Sequence, residues 1–182
     1  MASIKNTNKL TVDIALTALF TAIICVCSWL SIPMGVPVSL QTFAVFTAAA
    51  VLGAKRSVIS VVIYILLGLV GAPVFTGFKS GVAVVTGPTG GYLLGFIFAA
   101  LIIGLMTKAF SQKKWALPVS VIAGQIMCYI CGTVWYEYIY LNSAINLGEA
   151  LMICVVPFIV PDIIKTIAAI ILSKSIKRIL KH

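Results

Sequence analysis

Pro161-Asp162-Ile163-Ile164-Lys165 stands inside a run, 148–174, that is otherwise rich in Ile, Val and Ala. Long apolar runs without two-residue alternation read as membrane-crossing helices, because only helices and closed barrels satisfy backbone groups in lipid. A carboxylate and an ammonium in such a helix are costly, roughly 2.5–3.5 kcal/mol each at a bilayer centre, so they are expected to face a polar cavity. Spacing of i and i+3 puts both on one helix face, where they can share a target. Pro161 removes a helix hydrogen bond beside them and frees polar backbone at the same depth. The alternative is a structural ion pair that merely lets both charges survive burial.

Composition extends this reading to the whole chain. Apolar residues make up 62% and charged residues 9%, with a mean hydropathy of +1.17, which excludes an ordinary soluble domain. The chain is expected to be a single membrane domain, 1–182, of all-α class. Its net charge of +9 is not a nucleic-acid footprint. Lys5 and Lys9, then Lys55 and Arg56, then Lys108, Lys113 and Lys114, then Lys174, Lys177, Arg178 and Lys181 fall in alternate inter-span segments, as the positive-inside pattern requires.

Six spans are expected, at 10–32, 38–54, 57–73, 87–109, 115–141 and 148–174, with both termini cytoplasmic. The breakers are Ile32-Pro33-Met34-Gly35-Val36-Pro37, Gly53-Ala54-Lys55-Arg56 and Gly71-Ala72-Pro73. Spans two and three are short for a hydrocarbon core of about 30 Å and are either tilted or incomplete crossings. The first span is read as retained rather than as a cleaved signal, since its apolar stretch is long and no small-x-small site precedes Pro33. The connections at 33–37, 74–86 and 142–147 then face outside and carry only Lys79. Two cations are left without a cytoplasmic role: Lys79, which also reads as a solvated loop lysine, and Lys165.

Other chemistry is poorly supported. Five cysteines, an odd number, lie within apolar runs, which speaks against a disulfide framework. Cys128-x-x-Cys131 lacks the His, further thiol or basic neighbour that a metal or redox pair needs. The single histidine is His182, so no metal site is expected. Two-carboxylate catalysis by Asp162 with Glu137 or Glu149 has nothing to bring the acids together, and the chain reads as a non-enzyme without cofactor.

Thr86-Gly87-Pro88-Thr89-Gly90-Gly91-Tyr92 opens the fourth span. Its glycines allow close backbone approach to a ligand, and helix-start amides attract anions. It is not a phosphate-binding loop, since no Gly-Lys-Ser/Thr follows. Alone, this is a Gly/Pro helix start. It stands in an ordered series: Pro37-Val38-Ser39-Leu40-Gln41-Thr42-Phe43, Gly68-Leu69-Val70-Gly71-Ala72-Pro73-Val74-Phe75, Gly87-Pro88-Thr89-Gly90-Gly91-Tyr92, and Pro161-Asp162-Ile163-Ile164-Lys165. Across about residues 10–174 this resembles the BioY family, the biotin-specific substrate-binding (S) components of energy-coupling factor transporters.

The resemblance implies a multi-pass protein of a prokaryotic cell membrane that captures biotin from outside. It further implies a membrane T component and two cytoplasmic ATP-binding-cassette ATPases as partners, consistent with the lack of an ATP loop here. The family's acid and lysine fall on Asp162 and Lys165, at the ureido ring. Gln41, Thr89, Tyr92 and Phe75 become candidate binding residues, the aromatics having also a reading as interface belt. Ala15, Ala18 and Ala22 match the small-residue strip by which such subunits dock on the T component. Where relatives often carry an arginine suited to the biotin carboxylate, this chain has Leu93, and Lys79 is expected to take over part of that role. An S component for another vitamin and a proton-coupled secondary transporter are the rival functions; the second usually shows internal repeats, and none is found between the halves.

Overall fold

The computed structural model describes residues 2–33, 36–142 and 145–179, with side-chain surroundings from residue 10 onward. Met34 and Gly35 of the expected first break, part of the 142–147 connection, the side chains of Lys5 and Lys9, and Lys181 and His182 lie outside the described residues. Among the described residues the regular structure is helical apart from one small ribbon, with loops between. In order come α1 (Ala2–Trp29), β1 (Ser31–Ile32), β2 (Val38–Ser39), α2 (Gln41–Leu52), α3 (Ala54–Leu69), the short α4 (Val82–Val85), α5 (Gly90–Ala109), α6 (Ala116–Val134), a π-helical stretch (Trp135–Tyr140), α7 (Leu147–Cys154) and α8 (Val156–Ile179).

Among the described residues, four segments are long and apolar enough to cross a membrane: Leu10–Trp29, Gly90–Ala109, Ala116–Tyr140 and Leu147–Ile179. The expected second and third spans are helices of 12 and 16 residues, about 18 and 24 Å long. Gly53, at φ 77°, closes one and opens the other, a conformation that only glycine adopts freely.

The expected span limits are corrected: the third helix is Ala54–Leu69 in place of 57–73, and the fourth span's helix begins at Gly90 in place of 87. Residues 30–32 and 38–40 are not helical; Ser31 pairs with Ser39 and Ile32 with Val38 in an antiparallel ribbon, as Pro33, Pro37 and the β-branched neighbours favour extended backbone. The expected fifth span ends in the π-helical stretch. The expected last span breaks at Val155, between α7 and α8. Pro157 has no N–H to continue α7 into α8; the Phe158 N–H turns to Val155 O at 2.9 Å.

Helix α2 lies at the centre, against α1, α3, α5, α6 and α8. Its Ala44, Val45, Phe46, Ala48, Ala49 and Ala50 are all buried, as expected of a helix apolar around its whole circumference. Small hydroxyl residues join α1 to α3: Thr21 Oγ1 donates to Ser60 O at 3.2 Å and Ser60 Oγ to Thr17 O at 3.0 Å. Arg56 pairs with Asp13 at 2.9 Å along the same seam. In α8, Ile163, Ile164, Ile167 and Ile171 face outward while Asp162, Lys165, Ala169 and Ser173 are buried. The hydrophobic strip is therefore the outer one, as a lipid-facing helix requires.

Candidate functional site: a buried charged pair in a cavity wall

The inward face of α8 carries Phe158, Asp162 and Lys165, at successive i+4 and i+3 positions, into a cavity. Counted together with the open space at its mouth, the cavity holds about 550 Å³ free of protein atoms. Its other walls come from Val36, Pro37 and Ser39 of the ribbon, Gln41 and Thr42 of α2, Phe75 and Thr76 of the following loop, Val84 of α4, Thr89, Tyr92, Leu93 and Phe96 of α5, and Gln125 of α6. The lining is mostly apolar, with few convergent polar groups.

Asp162 and Lys165 are 4% and 7% exposed, and the ammonium pairs directly with Asp162 Oδ1. Asp162 Oδ2 accepts from Gln125 Nε2 at 2.8 Å and from Tyr129 Oη at 2.7 Å. Lys165 Nζ donates to Ser39 O at 3.0 Å. The carbonyl is available because the ribbon holds Ser39 extended beside α8. Both charges are thus neutralised and hydrogen-bonded, which is the condition for keeping them out of water.

A second polar cluster braces the wall. Gln41 Oε1 accepts from Ser39 Oγ at 2.8 Å and Thr76 Oγ1 at 3.3 Å, while its Nε2 donates to the Tyr64 hydroxyl. Gln41 therefore ties the ribbon, the 70–81 loop and α3 together. Phe75 is 1% exposed, edge-on to Tyr64 at 5.5 Å. It lies so close to Gly68 that a Cβ there would sit 2.1 Å from its ring. Tyr92 packs on Gly132, tilts against Phe158 at 6.0 Å and donates its hydroxyl to Cys154 O, the carbonyl beside the α7–α8 break. Thr89 opens α5 without capping it; its Oγ1 reaches Val84 O only at 3.5 Å.

Asp162, Lys165, Gln41, Thr89, Tyr92 and Phe75 thus line one cavity, although they are far apart in sequence. Lys79 does not line it. It is exposed, on the loop that contributes Phe75 and Thr76, with its carbonyl accepting from Phe75 N at 3.0 Å. Phe78, on the same loop, is exposed and stacks on Trp29 at 5.0 Å. Leu93 is buried in the lining. The glycines of the 86–92 motif are filled around by protein: a Cβ on Gly91 would lie 2.3 Å from Trp135 Cβ and 2.4 Å from Cys131 O. A Cβ on Gly87 or Gly90 would lie 2.9 or 1.9 Å from a carbonyl of α4, so the smallness of these glycines serves packing against α4, α6 and Trp135, in place of the expected approach to a ligand. Ala15, Ala18 and Ala22 lie exposed on the outward side of α1.

Sequence reasoning missed Gln125, Tyr129 and the Ser39 carbonyl. Gln125 carried a usable signal: an amide inside the apolar run 115–141, with Tyr129 one turn on, belongs to the same class of costly intramembrane polar groups as Asp162. The Ser39 carbonyl carried none, since it follows from the ribbon.

The model of the family described as "BioY family" matches residues 2–182. The "Biotin transporter BioY" of Thermotoga maritima is 41% identical over 162 residues, covering 88% of this chain and 93% of that protein. The "Biotin transporter BioY2" of Lactococcus lactis subsp. cremoris is 38% identical over 171 residues, covering 93% and 92%. A crystal structure titled as the S-component for biotin from an ECF-type ABC transporter superposes with a TM-score of 0.86 at 30% identity, covering 94% of this chain and 93% of that one.

Proposed function

Given that the chain belongs to the BioY family, we propose that it is the biotin-capturing S component of an ATP-driven energy-coupling factor importer. The observation that carries the reading is the buried Asp162–Lys165 pair at one wall of a cavity that also holds aromatic and neutral polar side chains. The ureido head of biotin offers N–H donors and one carbonyl acceptor. Asp162 accepts an N–H and Lys165 donates to the carbonyl, both as charge-assisted hydrogen bonds, about twice as strong as neutral ones. Phe75, Tyr92, Phe96 and Phe158 give the thioether ring and tail an aromatic surround. Ligands lacking the urea leave both charges without their new partners, which is the source of strong discrimination. Titration of the purified protein with biotin, thiamine and riboflavin tests this: only biotin should bind tightly, and tight binding of another vitamin in its place overturns the assignment.

The same reading fills in the surroundings. Lys79 meets the ligand carboxylate at the mouth, beyond Phe75 and Thr76, since Leu93 supplies no charge. The chain crosses a prokaryotic cell membrane six times as one body, α2 and α3 completing the crossings, with both termini in the cytoplasm. The exposed Ala15, Ala18 and Ala22 strip receives the T component, whose two ATPases drive the uptake.

A further inference from the structure

Among the described residues, three cavity-lining side-chain atoms are buried without a hydrogen bond: Asp162 Oδ1, which is ion-paired to Lys165, and Thr42 Oγ1 and Gln125 Oε1, which are not. Gln125 is the more defined of the last two. Its Nε2 donates to Asp162 Oδ2 at 2.8 Å. A carboxylate only accepts, so the amide cannot be turned round without setting oxygen against oxygen. Gln125 Oε1 is therefore an acceptor, held in one orientation, out of water, and unsatisfied within the protein. Such an atom is costly to bury and is explained if a bound molecule brings the donor.

The acceptor count of the charged pair points the same way. Asp162 Oδ2 already takes two donors, from Gln125 and Tyr129, and Oδ1 faces the Lys165 ammonium. The two N–H groups of a cyclic urea flank its carbonyl and point away from each other, so one carboxylate oxygen cannot serve both. Resting on the biotin reading above, we propose that Gln125 is a specificity-determining residue. Its Oε1 accepts one ureido N–H, Asp162 accepts the other, and Lys165 donates to the carbonyl between them. The glutamine reads the ligand as a double donor, so a ring carrying only one N–H is rejected.

The test pairs variants with ligands. Biotin and its two isomers methylated on one or the other ureido nitrogen are titrated against the wild-type protein, Gln125→Leu and Tyr129→Phe. The wild type should bind biotin and discriminate against both isomers. Gln125→Leu should lose roughly 10- to 100-fold in biotin affinity and stop discriminating against one isomer while still rejecting the other. Tyr129→Phe, which removes a donor to Asp162 and leaves the amide in place, should keep both discriminations. Should Gln125→Leu fail to insert, the near-isosteric Gln125→Met takes its place. A uniform loss for all three ligands makes Gln125 only a support for Asp162, and unchanged discrimination removes it from the contact; either result overturns the inference while leaving the biotin reading intact. A wild-type protein that binds no biotin overturns both.

Discussion

At the residue scale, Asp162 and Lys165 are a matched pair, and removing one charge strands the other. Asp162→Asn should weaken biotin binding at least about 30-fold, about 2 kcal/mol. The comparison is made on protein that elutes as a single monodisperse species from detergent, and undiminished affinity in such protein contradicts the proposed contact. Lys79 belongs to a different regime. An exposed rim charge contributes about 1 kcal/mol or less and is screened by salt. Lys79→Ala should therefore raise the biotin Kd only about three- to five-fold, and the difference should shrink in high salt. A Kd identical to wild type at low ionic strength removes Lys79 from the carboxylate. The acid and lysine were legible in the sequence because charge in an apolar run is costly enough to demand a reason. Gln125 and Tyr129, neutral and less costly, escaped notice although their position carries the same logic. The Gly90–Gly91 pair was read as ligand-facing because sequence cannot distinguish a bound molecule from Trp135 as the occupant of the space.

At the scale of elements, hydrophobic runs appeared as helices in the expected order, and what differed were their ends. Helix termini answer to local chemistry: the prolines around the ribbon, the missing Pro157 amide, the glycine at 53. The α7 start is the clearest instance. Asn146 Oδ1 accepts from Glu149 N at 2.9 Å, and Glu149 Oε2 accepts from Asn146 N at 3.2 Å. This reciprocal cap accounts for Glu149, one of the few acids in the chain. The α5–α6 contact predicts a sharper effect. Gly91→Ala places a methyl against Trp135 and the Cys131 carbonyl, and backbone cannot withdraw as a flexible side chain does. Overpacking of this kind costs about 1–3 kcal/mol. The thermal unfolding midpoint in detergent should fall clearly, and a midpoint equal to wild type means that the two helices can separate at no cost. Asn146→Ala, at an exposed cap, should lower it less.

For the whole molecule, the spacing of lysine and arginine gives a threading pattern only as an expectation, and the gathering of remote motifs at one site was implied by the family resemblance. Their mutual distances were not, because they arise from the central placement of the short α2. Docking on a partner separates from capture at this scale. Ala18→Trp puts a bulky side chain on the outward face of α1, away from the cavity lining. It should abolish co-purification with a T component while leaving the biotin Kd within about two-fold, and an intact complex shifts the docking surface elsewhere. One further connection follows from the Lys165–Ser39 hydrogen bond. Ser39 is paired with Ser31, and Ser31 is two residues past the end of α1, so a single ammonium tethers the tip of the first helix to the last. A contact of 3.0 Å ceases to be a hydrogen bond when stretched by about 0.6 Å. A sub-ångström displacement of the ribbon would therefore be enough to uncouple the end of α1 from the charged pair of α8.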